Sequence, residues 1–398
     1  MNSTFLKKPY HITRRIMAKF WLLSHPGVTT IGVTGSYGKT NTTVAIANIL
    51  GSKFKTIQTD VNLDTLYNIP LTILHLGDHQ KLVLEYGVDQ PGEMNIHLFT
   101  AKPQVVVVTG IAPVHADKEH FGSLEKIITE KTKLAAAVSK KGFVILNWDD
   151  PNVRRMSQVI QAHVIYYGTD TTNCDVWAEG IKVGVKGTEF NLGIQDKKIK
   201  IRTKRIGAHH VHNILASAAV ALTQKMTLKE IASAAQKLVP LEGRLSVEPG
   251  PKNTVILNDS RRANPASTIA GLQTLHELPA KRKVAVIGEM GELGRYSEEG
   301  HREVGKFIEN IKLDYLVCIG ESTKFIADEA KKYMKKDRVI WTKDVFEAAG
   351  VLETILKKGD LWYLKGSLLK HVERIILLLE GKDVDPDETA FKRYEVYR

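Results

Sequence analysis

Cysteine is nearly absent: Cys174 and Cys318 are the only two in 398 residues. They lie too far apart for a CxxC metal site and are too few for a disulfide framework, so both are expected in the core. No apolar run approaches the ~18 residues of a membrane span. No secretory apolar stretch with a small-residue cleavage site opens the chain either, and the expected location is the cytoplasm. Negative charge is missing at the front. Residues 1–59 hold eight Lys/Arg and no Asp or Glu, so eight of the twelve net positive charges sit there and imply an anionic partner nearby. Aromatic residues make up 7% and do not interleave with basic ones as on RNA- or DNA-binding surfaces, which argues against nucleic acid. The remaining composition, 43% hydrophobic and 25% charged, is that of a globular chain long enough for two or three domains.

What is present begins with Gly32-Val33-Thr34-Gly35-Ser36-Tyr37-Gly38-Lys39-Thr40-Asn41. An apolar, β-branched run (28–33) precedes it and a helical apolar pattern (44–50) follows, so the order is strand, glycine loop, helix. Such a loop cradles phosphate. Gly35 and Gly38 let backbone N–H groups turn toward an anion, with Ser36 and Asn41 beside them in the cofactor-binding set. Lys39 can reach the β/γ-phosphates, and the Thr40 hydroxyl can ligate Mg²⁺. The spacing is tighter than in the usual phosphate loop, with two residues rather than four between Gly35 and Gly38-Lys39-Thr40 and Val33 where the usual first Gly would stand. The alternative is a chance Gly-rich turn.

Strand and helix patterns then alternate: strands at 55–59, 81–87, 104–109 and 143–146, with helices after Pro91-Gly92, at 123–139 and after Asp150-Pro151. Four consecutive valines (105–108) fit a parallel strand covered on both faces. Residues 174–205 break the rhythm as an antiparallel flap, helices return at 208–223 and 227–238, and 240–244 reads as a boundary before a second α/β series. The fold class is therefore α/β: a P-loop ATPase domain with a doubly wound, mainly parallel sheet, then a Rossmann-like C-terminal domain. The expected division is 1–27, a basic helical segment; 28–242, the ATP-binding domain; and 243–398, the second. In the first segment Ile12, Ile16 and Phe20 share a helical face beside Arg14, Arg15 and Lys19. That face is expected to dock on the ATPase domain, a membrane-surface helix being the other reading.

A phosphate loop specifies only a nucleotide. Glu85 ends an apolar strand at the sheet edge where ligands of such folds bind, and a carboxylate there suits Mg²⁺. His115-x-Asp117-x-x-His120 follows the next strand and is either part of that site or three solvated loop residues. Lys131, in Glu130-Lys131-x-Lys133, reads by itself as a solvated helix lysine.

Taken together and in order, the loop, Glu85, His115, Lys131, Asn147-x-Asp149-Asp150, Gly207-x-His209-x-x-x-Asn213, Gly243-Arg244, Asp259-Ser260 and Lys365-Gly366-Ser367 resemble the Mur ligases. These are ATP-dependent amide-bond ligases of cell-wall peptide synthesis. The wording Asp259-Ser260-x-x-Ala263-Asn264-Pro265-x-Ser267 and Gly288-Glu289-Met290-x-Glu292-Leu293-Gly294 is similar to the MurF branch, which adds D-alanyl-D-alanine to a UDP-muramoyl peptide. The resemblance implies ATP with two Mg²⁺ ions. Thr40 and Glu85 would hold the first, and His115 and a carbamylated Lys131 the second. His209 and Asn213 would fall in the nucleotide site, Arg244 would reach ATP from the second domain, and Asp259 would accept from the ribose.

The implied partners are a carboxylate acceptor, such as a UDP-muramoyl peptide, and an amino acid or dipeptide that supplies the amine. The carboxylate would be activated as an acyl phosphate, and cations would offset the repulsion among the anionic groups that must meet. Two departures leave the acceptor open. Arg261 and Arg262 stand where the MurF branch has Tyr and Asn, and Asp64-Thr65 and Asn68 replace its paired asparagines. Some 27 residues before the first strand are also few for the separate domain that grips the UDP-sugar in typical members. A folylpolyglutamate-type ligase, which also lacks that domain, and a non-catalytic ATP-binding scaffold are the competing readings.

Overall fold

The computed structural model describes residues 3–61, 63–114, 116–117, 120–367 and 371–384. The chain divides into two compact units, residues 1–182, 188–204 and 208–239, and residues 183–187, 205–207 and 240–398.

The first unit is built on β1 (Thr29–Thr34), β2 (Thr56–Gln58), β3 (Lys81–Glu85), β4 (Val105–Val108), β5 (Phe143–Asn147), β6 (His163–Gly168), β7 (Val176–Gly184), β8 (Gly187–Ile194) and β9 (Lys197–Thr203). Their order in one sheet is β2-β3-β1-β4-β5-β6-β7-β8-β9. The pairs from β2 to β7 are parallel, and β8 with β9 is antiparallel. The expected flap is thus the far end of the main sheet. β1 lies between β3 and β4, so the chain reverses direction across the sheet there and leaves a crevice beyond the strand ends.

Its helices are α1 (Ser3–Leu23), α2 (Lys39–Gly51), α3 (Thr65–Leu74), α4 (Glu93–Thr100), α5 (Leu124–Ala136), α6 (Pro151–Arg154), α7 (Ala208–Thr223) and α8 (Leu228–Gln236). All four valines of β4 are buried, as a strand covered on both faces requires. α7 is buried from Asn213 to Ala221, and its alanines let it lie close against β-strand side chains and α2. Side-chain caps fix several helix starts: Ser123 on α5, Asp64 on α3, and a Thr227/Glu230 capping box on α8.

Three features differ from the sequence expectation. A helix, α3, fills the stretch read as a loop after Asn62, a residue that itself lies outside the described ones. Strand β6 pairs with β5 where no strand was expected. α1 also begins at Ser3, and its packing is inverted. His11, Arg14, Arg15, Ala18 and Leu22 turn toward the unit, whereas Ile12, Ile16 and Phe20 are exposed.

The second unit carries β10 (Ser246–Gly250), β11 (Thr254–Asp259), β12 (Lys283–Gly288), β13 (Tyr315–Ile319), β14 (Val339–Thr342) and β15 (Leu361–Lys365), ordered β10-β11-β15-β12-β13-β14. Only the β10–β11 pair is antiparallel. Helices α9 (Pro265–Glu277), α10 (Ser297–Phe307), α11 (Lys324–Ala330), α12 (Val345–Ile355) and α13 (Arg374–Leu379) complete it, with two buried apolar clusters around the sheet. α9 starts with Asn264 and Ser267 capping each other's backbone and Pro265 in the first turn. Cys174 and Cys318 are both buried and free, as expected. Among the described residues no helix is long and apolar enough to cross a membrane.

Candidate nucleotide and ligase site

Parallel pairing puts Val33 of β1 beside Glu85 of β3, and Thr34 beside Val108 of β4, so three strand ends meet where the glycine loop begins. Gly35 has φ 149°, and a Cβ there would lie 2.1 Å from Thr109 Oγ1; only glycine fits. Gly38, at φ 78°, is the N-cap of α2. The loop is held from below, since Ser36 N–H donates to Gly110 O at 2.6 Å, Ser36 Oγ to Ala112 O at 2.9 Å, and Thr109 Oγ1 to the carbonyl of Tyr37. Tyr37 covers Gly110 and donates to Asp150 Oδ2 at 3.3 Å. That carboxylate also accepts from Ile111 N–H at 2.7 Å. Burial first, and the Asp150 charge second, push the Tyr37 phenol far up, so it stays protonated and donating.

Lys39 opens α2 and donates from Nζ to Gly35 O at 3.0 Å, which keeps its charge over the loop. Thr40 is buried in the same turn, and Asn41 is half-buried beside it. Asn213 of α7 accepts from Thr42 Oγ1 at 3.0 Å and lies against Gly38, so this predicted residue does meet the loop helix. His210 contacts Asn213 at 3.1 Å, and the His209 ring lies tilted against His210 with centroids 4.3 Å apart. His212 points elsewhere, pairing with Asp149 at 2.7 Å. Asn147 donates to Thr109 O at 2.8 Å, which ties the Asn147-x-Asp149-Asp150 stretch to the floor of the loop.

Glu85 is half-buried at the end of β3, and its N–H donates to Thr59 Oγ1 at 3.0 Å. The backbone beyond it is pinned. Gly87 O accepts from His97 Nε2 and Thr65 Oγ1, both at 2.8 Å, and burial drives His97 down to about 4, which leaves it neutral. Glu130 Oε1 accepts from Gly92 and Met94 N–H at 3.0 and 2.9 Å.

Lys131 corrects the sequence reading, for it is 2% exposed and not a solvated lysine. Burial, and then the charge of Lys39, bring it down to about 7 against the opposing pull of Asp89, Glu85 and Glu130. His115 lies outside the described residues. Its motif partners Asp117 and His120 hydrogen-bond each other and shape the turn. Asp64 caps α3, and Asn68 is a buried clamp, its side chain exchanging hydrogen bonds with the backbone of Asp60 at 3.0 and 2.7 Å.

In the second unit, Asp259 Oδ2 accepts from Lys365 Nζ at 2.6 Å and Tyr363 OH at 3.1 Å. Burial pushes the Asp259 carboxyl up and the Lys365 ammonium down despite their attraction. The Arg244 guanidinium adds to the positive field on Asp259, and Arg261 packs against Gly243. Sequence reasoning did not single out Tyr37, Asp89, His97 or Thr109. Only the strand-end position of Thr109 could have signalled its role.

A phosphate cradle at the reversal point of a parallel sheet, a strand-end carboxylate, a buried low-pKa lysine and a second α/β unit define a P-loop ligase architecture. The chain belongs to the Mur ligase family. Residues 33–221 match the Mur ligase middle domain, and residues 243–368 match the Mur ligase glutamate ligase domain. Among relatives, the UDP-N-acetylmuramoyl-tripeptide--D-alanyl-D-alanine ligase of Mycobacterium bovis is 32% identical over 363 residues, 86% of this chain and 71% of that protein. The ligase of the same name from Escherichia coli K12 is 29% identical over 345 residues, 85% of this chain and 76% of that one. The crystal structure of MurF ligase from Thermotoga maritima in complex with ADP is 25% identical with a TM-score of 0.81, and the match covers 96% of this chain and 84% of that one.

Proposed function

We propose that this chain is an ATP-dependent ligase of the MurF type, acting in the cytoplasm to join D-alanyl-D-alanine, or another amine-bearing amino acid, to the carboxylate of a UDP-muramoyl peptide. The curated relatives carry that activity in their names. The observation that carries the reading is Lys131, buried and brought to about 7 within the fields of Lys39 and Glu85. A scaffold that only binds ATP has no use for such a group.

In this reading the amides of Gly35, Gly38 and Asn41 hold the phosphates with Lys39, which leaves its carbonyl partner to follow the transferring phosphoryl group, while Ser36 anchors the loop to Gly110 and Ala112. His209 and Asn213 of α7 serve the nucleotide from behind the loop helix. The Thr40 hydroxyl and Glu85 carboxylate are hard oxygen donors of the kind Mg²⁺ takes, and His115 with Lys131 would complete a second site. When bound, Mg²⁺ supplies positive charge where anionic groups crowd together. A lysine near pKa 7 is partly neutral at neutral pH. Its free amine can form an N–C bond to CO₂ and lose a proton, becoming a carbamate anion.

An acceptor carboxylate oxygen then attacks the γ-phosphorus and ADP leaves. The amine attacks the acyl phosphate carbon, phosphate departs, and the former amine gives up a proton. Lys39 stabilises charge in the first step, and the pinned 87–92 loop fixes Glu85 for both.

The test is ADP release from ATP with UDP-muramoyl tripeptide and D-alanyl-D-alanine, together and singly. ADP is expected only when both are present. Release with folate and glutamate instead would move the chain to the folylpolyglutamate type, and ADP binding without turnover on any acceptor would make it a scaffold.

A further inference from the structure

α1 presents its apolar stripe outward. Phe20 is 65% exposed, Leu23 64%, Ile12 54% and Ile16 39%, with exposed Met17 and Trp21 beside them. Between Tyr10 and Ser24 the outward face contains no charged residue. Its cations, Arg14, Arg15 and Lys19, are half-buried at the flanks. The helix is tied to the unit by the His11 ring tilted against Tyr67 of α3, Arg14 over the Tyr67 ring, Lys19 Nζ 4.0 Å from the centre of the exposed Phe99 ring of α4, and Trp21 Nε1 donating to Leu76 O at 3.2 Å from the edge of the stripe. A helix serving only as a docking element would bury Ile12, Ile16 and Phe20 and expose the guanidiniums. Here Arg14 and Arg15 lie half-buried along the flanks and the stripe is left to another medium.

We propose that α1 is an interfacial helix that seats this protein on an anionic lipid surface. Five cations and no carboxylate occur in the 21-residue helix, and no acidic residue occurs before Asp60. An apolar face flanked by Lys and Arg, with Trp and Phe among its side chains, meets both the acyl boundary and the headgroup charge of such a surface. A second copy of the chain fits less well, because pairing two α1 helices would bring their cations together with no carboxylate on either helix to offset them.

The experiment uses the full chain and vesicles of phosphatidylcholine with or without phosphatidylglycerol. The wild type should sediment at least about tenfold more strongly with the anionic vesicles, and the preference should shrink as salt rises. Ile16→Ser/Phe20→Ser should weaken that binding at least about tenfold. Its thermal melt and ligase turnover in solution should match the wild type, since neither side chain is buried. Vesicles carrying brominated acyl chains should quench Trp21, which a Trp21→Phe control assigns. Absence of sedimentation with anionic vesicles overturns the proposal, and so does equal sedimentation of the double variant. A wild-type dimer that the double variant converts to monomer also overturns it and gives the face to a second copy.

Discussion

Glu130 and Lys131 are adjacent on α5 and both buried, yet their surroundings push them in opposite ways. Burial works to raise the Glu130 carboxyl, but Lys133 and the Met94 and Gly92 amides outweigh it and keep it ionised. On Lys131, burial first and then the charge of Lys39 outweigh the nearby carboxylates and bring the ammonium down to about 7. One residue anchors a loop, and its neighbour is left chemically poised.

The first prediction follows from that poise. Lys131→Ala should lose nearly all ADP release in the presence of acceptor and amine, and small carboxylates such as acetate or formate should restore part of it. Lys131→Arg, whose guanidinium does not lose its proton, should be inactive and beyond rescue. Normal turnover in Lys131→Ala would remove the carbamate from the mechanism.

Lys131 should also leave a signature in stability. Its folded pKa, about 7, lies below the unfolded value near 10.5, so between those limits the unfolded chain binds more protons and stability rises with pH. Measured against Lys131→Met, which removes this group alone, the wild type should gain unfolding free energy as pH climbs from about 7 toward 10 and show a flat difference below that window. Denaturant melts across the range read the slope, and a difference that falls with pH would contradict the assigned shift.

Lys39→Ala should cut ADP release by about a thousandfold or more, because the lost charge serves the transferring phosphoryl group. The fold should survive, since Lys39 is only half-buried and its Nζ lies along the loop, donating to Gly35 O. Turnover within a few fold of wild type would sink the phosphate-loop assignment.

Gly35→Ala tests the loop without touching a charge. The added methyl would meet Thr109 Oγ1 and the Gly110 backbone in a backbone conformation that disfavours a side chain. Calorimetry should find ADP binding weakened at least about tenfold with only about 1–3 kcal/mol lost in stability. The Gly35→Ala/Thr109→Ala pair should recover part of the affinity by removing the nearer clash.

Much of this was legible because it is local. Glycines followed by Lys-Thr after a β-branched run specify a strand, a tight turn and a helix start, and four valines specify a covered strand. Glu85 could be placed at the sheet edge because strand polarity sends every parallel strand end the same way. What stayed hidden depended on neighbours distant in sequence. Glu130-Lys131-x-Lys133 has the pattern of a solvated helix face, and only the packing of α5 against α4 and β4 reveals that Lys131 is enclosed. Periodicity groups Ile12, Ile16 and Phe20 on one face of α1 but carries no sign saying which face turns inward. α3 was masked by its polar start and by Pro70 inside it, and β6 by its polar first residue and part-exposed middle.

The Thr42–Asn213 hydrogen bond spans 171 residues and joins the helix behind the loop to α7. At about 5–20 residues per second, a ribosome needs on the order of ten seconds or more to bring the second partner out after the first. Through that interval Ala45, Ile46 and Ile49 of α2, which share a buried cluster with α7, lack that cover. The nucleotide cradle is therefore translated early and finished late. A pause or truncation before residue 221 leaves a nascent chain with an open apolar flank, which makes α7 the point where synthesis commits the unit to its native state.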